Sequence, residues 1–253
     1  MSESAAAAKR KRPVIAIDGP SGVGKSTLAS RLAQALHFTN LDTGAMYRAL
    51  ALKALEEDMD FDDEASLGSL AERTQIALEP MTHIIRVQMD GQDVTTRIRG
   101  ADVTQAASRV SVHPRVRAWM VARQRELGAN GGVVMEGRDI GTKVFPDAEI
   151  KLFLDASERA RGERRYLQQA AAKGSSASVT GNAQLQSTPE QVLEQLHERD
   201  KRDRTREASP LEPAPDAVVL DTTTLTLEEV VARSLEIIDS RFPGLVHSVL
   251  PGL

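Results

Sequence analysis

The chain has 253 residues, of which 41% are apolar and 27% are charged, a balance typical of a soluble globular protein with a sizeable core. Its net charge of −4 argues against a globally basic nucleic-acid binder, and the absence of cysteine excludes disulfides and thiolate metal sites. No apolar run approaches the length of a membrane span. We therefore expect a cytoplasmic protein with neither a membrane nor a nucleic acid as partner.

The N-terminus begins with an alanine run followed by a basic cluster, the reverse of the order in a secretory signal peptide. Chain termini of this composition are usually solvated, so we predict a disordered basic tail over residues 1–12. Nucleic-acid binding through this tail is the alternative, but the cluster lacks interleaved aromatic residues.

Short apolar runs alternate with helical patterns along much of the chain. The predicted strands cover residues 14–18, 38–41, 132–135, 149–154 and 217–220. The predicted helices between them cover residues 25–36, 44–56, 157–172 and 226–240. Such alternation favours a parallel sheet covered on both faces, and the predicted fold is a three-layer α/β core with five parallel strands.

Two regions interrupt this alternation. In the first, residues 60–128, Asp90-Gly91 stands between two strand-like runs and predicts a tight hairpin; helices follow at 101–110 and from Pro114. This region is predicted to be a small α+β insert, which divides the core into residues 13–59 and 129–253.

The second interruption, residues 173–213, contains the polar stretch GSSASVTGNAQLQSTPE at 174–190, which predicts a mobile loop. The stretch HERDKRDRTR follows, and on a helix it would place Arg199, Arg202, Asp203 and Arg206 on one face. A solvated face of ion pairs is the alternative interpretation. The neighbouring loop favours a short lid that closes over a ligand, around residues 160–206.

The stretch DGPSGVGKST, residues 18–27, lies between the first predicted strand and the first predicted helix. It contains the Walker A pattern, whose glycines allow backbone N–H groups to surround a phosphate chain at a helix N-terminus. Lys25 would contact the β and γ phosphates, and the Ser26 hydroxyl would be a Mg²⁺ ligand. The sequence therefore predicts a site for a nucleoside triphosphate with Mg²⁺.

Two further motifs place polar residues where strands end. In LDTGAMYRAL, residues 41–50, Thr43 begins a helix that carries Tyr47 and Arg48. In MEGRDIGTKVFPDA, Arg138 and Asp139 follow a strand, at the sheet edge where ligands bind in open α/β folds. Arginines in these polar segments are suited to bidentate phosphate recognition.

From about residue 13 onward the chain resembles bacterial cytidylate (CMP) kinases. The resemblance is carried by IDGPSGVGKST, LDTGAMYRALAL, AASRVSVHPRVR, EGRDIGTKVFPDAEIKLFLDAS, RGERRY and ERDKRDRTR. It implies a P-loop kinase in which residues 60–128 form the insert that binds the nucleoside monophosphate (NMP). Glu136 departs from the aspartate that the family often has there.

The resemblance also implies a role for each motif residue. ATP would bind Gly19, Pro20, Ser21, Gly22, Val23, Gly24, Lys25, Ser26 and Thr27. The monophosphate would contact Thr43, Tyr47, Arg48 and Arg138, and the cytosine Ser108, Arg117 and Asp139. Arg199 and Asp203 would contact the ribose and the phosphate, and Arg206 would lie near the base. The lid over ATP would contribute Arg161, Arg165 and Arg202.

The implied reaction transfers the γ-phosphoryl group of MgATP to CMP or dCMP, and we expect a monomer. Another small-molecule kinase, acting on UMP, AMP or shikimate, is the first alternative. A GTP-binding switch is the second, although no asparagine here is followed by lysine, as the guanine-reading motif of such proteins requires.

Overall fold

The computed structural model describes residues 10–81, 85–174 and 188–246. Strands and helices alternate through most of these residues. In chain order they are β1 (Val14–Asp18), α1 (Lys25–Leu36), β2 (Thr39–Asp42), α2 (Thr43–Glu56), α3 (Glu64–Arg73), β3 (Ile76–Pro80), β4 (Ile85–Met89), β5 (Gln92–Asp93), a 3₁₀ turn (Arg97–Arg99), α4 (Ala101–Val110), α5 (Pro114–Gly128), β6 (Val133–Glu136), a π-helical turn (Ile140–Val144), β7 (Ile150–Asp155), α6 (Glu158–Gly174), α7 (Pro189–Thr205), β8 (Val218–Asp221) and α8 (Leu227–Arg241).

Five parallel strands form the central sheet in the order β2, β6, β1, β7, β8, which confirms the predicted α/β fold class. Every residue of β1 is buried, because helices cover both faces of the sheet. Ile15 and Ile17 pack in the layer of α1 and α8, while Val14 and Ala16 face the opposite layer. The sheet therefore holds the carboxyl ends of β1, β2 and β6 side by side.

The strand bounds differ from the prediction by one residue at the two strands nearest the site. β2 and β6 each run one residue further than predicted, so that Asp42 and Glu136 are their last residues and lie opposite each other in the register. This pairing brings two carboxylates together at the sheet edge, an arrangement that the apolar pattern alone does not show.

Residues between α2 and β6 form the predicted α+β insert. Asp90 and Gly91 both have positive φ, 50° and 80°, and join β4 to β5 in the predicted two-residue turn. β3 and α3 were not individually predicted, and β3 adds a third strand to this sheet. The insert packs on α2 through a continuous aliphatic cluster.

The predicted disorder of residues 1–12 is wrong for the last three of them, while residues 1–9 lie outside the described residues. Arg10 donates to Asp147 at 2.7 Å and pairs with Glu149 at 3.2 Å. Arg12 donates to the His37 carbonyl at 2.6 Å and lies over the Phe38 ring. Carboxylates and an aromatic face thus hold a basic segment that composition alone assigned to solvent.

The charged stretch of the second interrupted region lies on α7, which packs against α6. Thr188 and Gln191 make a capping box that starts α7 well before the charged HERDKRDRTR stretch. Most of the loop predicted at 174–190 lies outside the described residues. Within the described ranges, no helix has the length and apolar character needed to cross a membrane.

Candidate functional site

The phosphate loop connects β1 to α1 and depends on glycine for its shape. Gly19, Gly22 and Gly24 have φ of 144°, 78° and 99°, a region that other residues rarely adopt. A Cβ on Gly19 would lie 2.2 Å from the Leu154 carbonyl oxygen. The loop therefore wraps tightly against β7, and α1 begins at Lys25 with its N-terminal dipole facing the loop.

Lys25 lies inside this loop, and its Nζ donates to the carbonyls of Gly19 at 2.8 Å and Pro20 at 2.6 Å. Burial and the nearby charges of Arg138 and Arg199 lower its pKa well below the usual value for lysine. A phosphate oxygen bound beside Nζ would favour the charged form of the lysine. The lysine is thus a buried cation whose protonation a bound anion would stabilise.

A cavity of about 490 Å³ opens beside the loop. Its lining comes from the loop, from α2, from the insert and from both helices of the predicted lid. The lining residues are Ser21, Gly22, Gly24, Lys25, Ser26, Thr27, Asp42, Gly44, Arg48, Arg99, Thr104, Glu136, Arg138, Arg165, Gln168, Gln169, Leu196 and Arg199. Of the nine predicted ATP-binding residues, six line this cavity; Gly19, Pro20 and Val23 do not.

Two carboxylates at the ends of β2 and β6 face this cavity. Asp42 caps α2 by accepting from Ala45 N at 3.1 Å, and it pairs with Arg48 at 2.7 Å. Burial and the neighbouring Asp42 raise the pKa of Glu136 to about 7. Glu136 Oε1 is buried and has no hydrogen-bond partner among the described residues.

A second cavity adjoins the first and shares Gly44, Arg138 and Arg199 with it. It lies between α2, α4, α5 and α7. Its lining is Thr43, Gly44, Tyr47, Ala107, Ser108, Ser111, Arg117, Arg138, Asp139, Arg199, Asp203 and Arg206. All the predicted acceptor-binding residues except Arg48 therefore meet around one cavity, and Arg48 lies on the wall of the first.

Ion pairs organise the second cavity. Arg117 and Asp139 are both buried and form a direct hydrogen-bonded pair, with the Arg117 guanidinium 5.9 Å from the Tyr47 ring centre. Burial raises the pKa of Tyr47 to about 12, so this hydroxyl stays protonated and can donate. The Arg117–Asp139 pair is itself neutral and presents fixed donors and acceptors, which suits a neutral polar ring.

Arg138 connects the two cavities. Its Nε donates to Asp203 on α7 at 2.8 Å, and its Nη2 donates to the Ser21 hydroxyl of the phosphate loop at 2.8 Å. Arg206 lies 3.6 Å from the same Asp203 carboxylate. Burial and the charge of Arg138 lower the pKa of Arg199 to about 10. A strongly positive region thus separates the two cavities.

The three arginines predicted for the lid occupy different places. Arg165 lines the larger cavity, where burial and Arg48 lower its pKa. Arg161 is buried behind the phosphate loop and donates to the Ser21 carbonyl at 3.1 Å. Arg202 does not line the larger cavity; its Nη1 donates to Ser108 at 2.8 Å, on the side of the second cavity. The role of these three arginines at ATP stays a prediction.

Two buried aspartates that support the site were missed in the sequence. Asp200 accepts from Ser21 N at 3.2 Å and pairs with Arg161, so that it ties α7 to the phosphate loop. Asp18 accepts from Ile140 N at 2.9 Å and from Gly141 N at 2.7 Å, which fixes the turn after Asp139. Burial raises the pKa of Asp18 to about 6. Their partners lie 39 to 179 residues away, beyond any local pattern.

The same chain matches the family model for cytidylate kinase over residues 15–240. The chain belongs to the cytidylate kinase family. It is 48% identical to the cytidylate kinase of Geobacillus kaustophilus (strain HTA426), covering 92% of this chain and 99% of that one. It is 44% identical to the cytidylate kinase of Pasteurella multocida (strain Pm70), covering 89% and 94% of the two chains.

Membership of this family makes the chain a kinase, a phosphotransferase. Among solved structures, a gluconokinase from Sinorhizobium meliloti 1021 matches over 92% of this chain and 94% of that chain, with 16% identity and a TM-score of 0.44. That likeness is too distant to bear on the substrate of this kinase.

Proposed function

We propose that this kinase transfers the γ-phosphoryl group of MgATP to CMP and dCMP, giving ADP and the nucleoside diphosphate, within pyrimidine nucleotide metabolism. The observation that carries the proposal is the pair of adjoining cavities. One lies on the phosphate loop, and the other presents matched polar groups, with Arg138 and Arg199 between them. This geometry suits two nucleotides bound with their phosphates facing each other, once the insert and α7 move apart to widen the second cavity beyond its present 50 Å³ or so.

ATP would occupy the larger cavity, with its phosphates against the loop amides and Lys25. Its Mg²⁺ would be held by the Ser26 hydroxyl, and the unpartnered Glu136 Oε1 fits the role of acceptor for water molecules bound to the metal. The metal would supply charge neutralisation at the phosphates. Glu136 is one carbon longer than aspartate and still reaches the cavity wall.

The acceptor would lie in the second cavity, within the insert of residues 60–128 and α7. The cytosine amine donates hydrogen bonds and so fits the Asp139 carboxylate, while the ring acceptors fit the donors Ser108 and Arg117. Arg48 and Arg138 would hold the monophosphate, and Asp203 would be freed to contact the sugar. Tyr47 would donate from its protonated hydroxyl.

The attacking atom is an ionised oxygen of the acceptor phosphate, so the reaction needs no general base. As its bond to the γ-phosphorus forms, the bond from that phosphorus to the bridging oxygen of ATP breaks, and ADP leaves with the electron pair. Catalysis is then alignment and charge stabilisation. Lys25 and Arg165 lie where they would stabilise that charge, and closure of α6 and α7 would exclude water.

The proposal is tested by ADP release from MgATP with CMP, dCMP, UMP, AMP, GMP, shikimate or water alone. We expect strong turnover with CMP and dCMP, weaker turnover with UMP and little with the others. If ADP release with water alone equals release with CMP, the assignment of CMP as acceptor is wrong. If another acceptor gives faster ADP release, that acceptor takes the place of CMP in the proposal. The monomeric state and the cytoplasmic location stay predictions.

A further inference from the structure

Ser108 and Arg202 form a contact between the insert and α7. Ser108 lies on α4, is 6% exposed, and lines the second cavity. Arg202, on α7, donates from Nη1 to the Ser108 hydroxyl oxygen at 2.8 Å, and its Nη2 lies 3.7 Å from Glu198 one turn earlier. A charged donor thus reaches a buried hydroxyl from a segment 94 residues away in the chain.

The Ser108 hydroxyl proton is not used in a hydrogen bond to the helix backbone. Serine and threonine within helices commonly donate to the carbonyl four residues back, as Ser69, Thr74 and Ser234 do here at 2.7–3.0 Å. No group among the described residues accepts a hydrogen bond from the Ser108 hydroxyl. Its proton is therefore available to a ligand in the cavity that it lines.

Hydrogen-bond chemistry fixes the polarity of this hydroxyl. A guanidinium only donates, so the Ser108 oxygen must accept from Arg202. The hydroxyl proton then points away from the arginine, and the serine acts as a donor toward the cavity. A second N–H group approaching the same oxygen would meet the positive charge of Arg202, which makes Ser108 a poor acceptor for such a ligand.

We propose that Arg202 is a positioning residue that holds the Ser108 hydroxyl as a donor and thereby favours cytosine over uracil. This inference rests on the proposed function, in which Ser108 faces the base. Ring nitrogen N3 of cytosine carries a lone pair and accepts a hydrogen bond, whereas the same nitrogen of uracil carries a proton and donates. The contact from α7 thus determines which of these two rings the insert binds well.

The experiment compares kcat/KM for CMP and UMP in wild-type protein and in Arg202→Met, Arg202→Lys and Arg204→Met, at saturating MgATP. Arg202→Met removes the donor, so the serine hydroxyl is free to turn and accept from uracil. We expect the CMP to UMP ratio to fall roughly tenfold, the scale of one charge-assisted hydrogen bond. Arg202→Lys restores part of the ratio, because it keeps a charged donor.

Arg204→Met is the matched control, since Arg204 is an exposed arginine two residues along the same helix. It should keep the wild-type ratio. The KM for ATP should not change in Arg202→Met, and its melting temperature shows whether α7 stays folded. A loss of general stability alone would lower both kcat/KM values and leave their ratio constant.

Two results would overturn the inference while leaving the proposed function in place. One is an unchanged ratio in Arg202→Met. The other is an equal loss for both acceptors with a raised KM for ATP, which would return Arg202 to the ATP side of the cleft. Wild-type protein that does not prefer CMP to UMP would instead overturn the proposed function, and this inference with it.

Discussion

The two ends of the cleft hold their cations in different ways. At the phosphate end, Lys25 donates to backbone carbonyls, and among the described residues no carboxylate forms an ion pair with it. At the base end, Arg117 is paired with Asp139, and Asp203 lies between Arg138 and Arg206. The first end carries unneutralised positive charge, which bound phosphates would neutralise. At the second end the Arg117–Asp139 pair is neutral, which suits a neutral base, and the excess positive charge lies toward Arg138 and Arg199.

This contrast predicts the largest effect for the variant Lys25→Met. Removing a preorganised cation from the transferring phosphoryl group should lower kcat by about a thousandfold. The free energy of unfolding should change little, because relief of a desolvated amine offsets the loss of its two hydrogen bonds to Gly19 and Pro20. Steady-state ADP release and urea unfolding measure the two quantities on one protein preparation.

Near-normal turnover in Lys25→Met would contradict the catalytic role of the loop. Ser30→Ala, on the same helix one turn further, is a useful comparison because it keeps the loop sequence intact. A large loss of stability in Lys25→Met would instead show that the lysine mainly holds the loop together through the Gly19 and Pro20 carbonyls.

The opposite pattern is expected at the base end for Asp139→Asn. This variant leaves the buried Arg117 guanidinium without its carboxylate, and breaking such a pair from one side costs about 3 kcal/mol of unfolding free energy. The KM for CMP should rise, because asparagine accepts more weakly from the cytosine amine. Denaturant unfolding and acceptor titration measure both effects.

The double variant Arg117→Met, Asp139→Asn separates stability from recognition at this end. Removing both charges should recover part of the unfolding free energy while CMP recognition stays impaired. Asp139→Asn with wild-type stability would show that the pair is not needed to balance the pocket, and the contrast between the two ends would then fail.

The sequence predicts the scaffold of the cleft better than its cross-connections. Strand alternation predicted the five-stranded sheet, and the Walker A spacing predicted the turn before α1, because both depend on neighbouring residues. Asp200 accepts a hydrogen bond from Ser21, and Arg202 donates one to Ser108; both contacts join residues that lie far apart in the chain. Helix periodicity placed Arg202 on a face with Arg199 but did not show what that face contacts.

The carboxylates at the sheet edge show the same limit. Glu136 was recognised as a departure from the family, but its opposition to Asp42 depends on the exact register of β2 against β6. A shift of one residue in either predicted strand end is enough to hide that pairing. Burial, which raises the pKa of Glu136 to about 7, is likewise a property of the packed layers and not of the local sequence.

The smallest predicted effect concerns this glutamate, which lines the larger cavity at the phosphate end. Because its folded-state pKa of about 7 exceeds the usual 4.5, the folded protein keeps a proton that the unfolded chain has lost. Its contribution to stability is complete below pH 4.5 and is lost as pH rises to about 7. Glu136→Gln stays neutral throughout, so from pH 5 to pH 8 it should lose less unfolding free energy than wild type.

We expect the difference to be about 2.7 kcal/mol, two pH units at about 1.36 kcal/mol each, measured by urea unfolding without nucleotide or divalent cation. Asp18, whose pKa is raised to about 6, titrates in both proteins, so comparing the two pH dependences isolates Glu136. Identical slopes would mean that Glu136 is already ionised in the folded protein at pH 5. The phosphate end would then carry one more negative charge, and its excess of positive charge over the base end would be smaller.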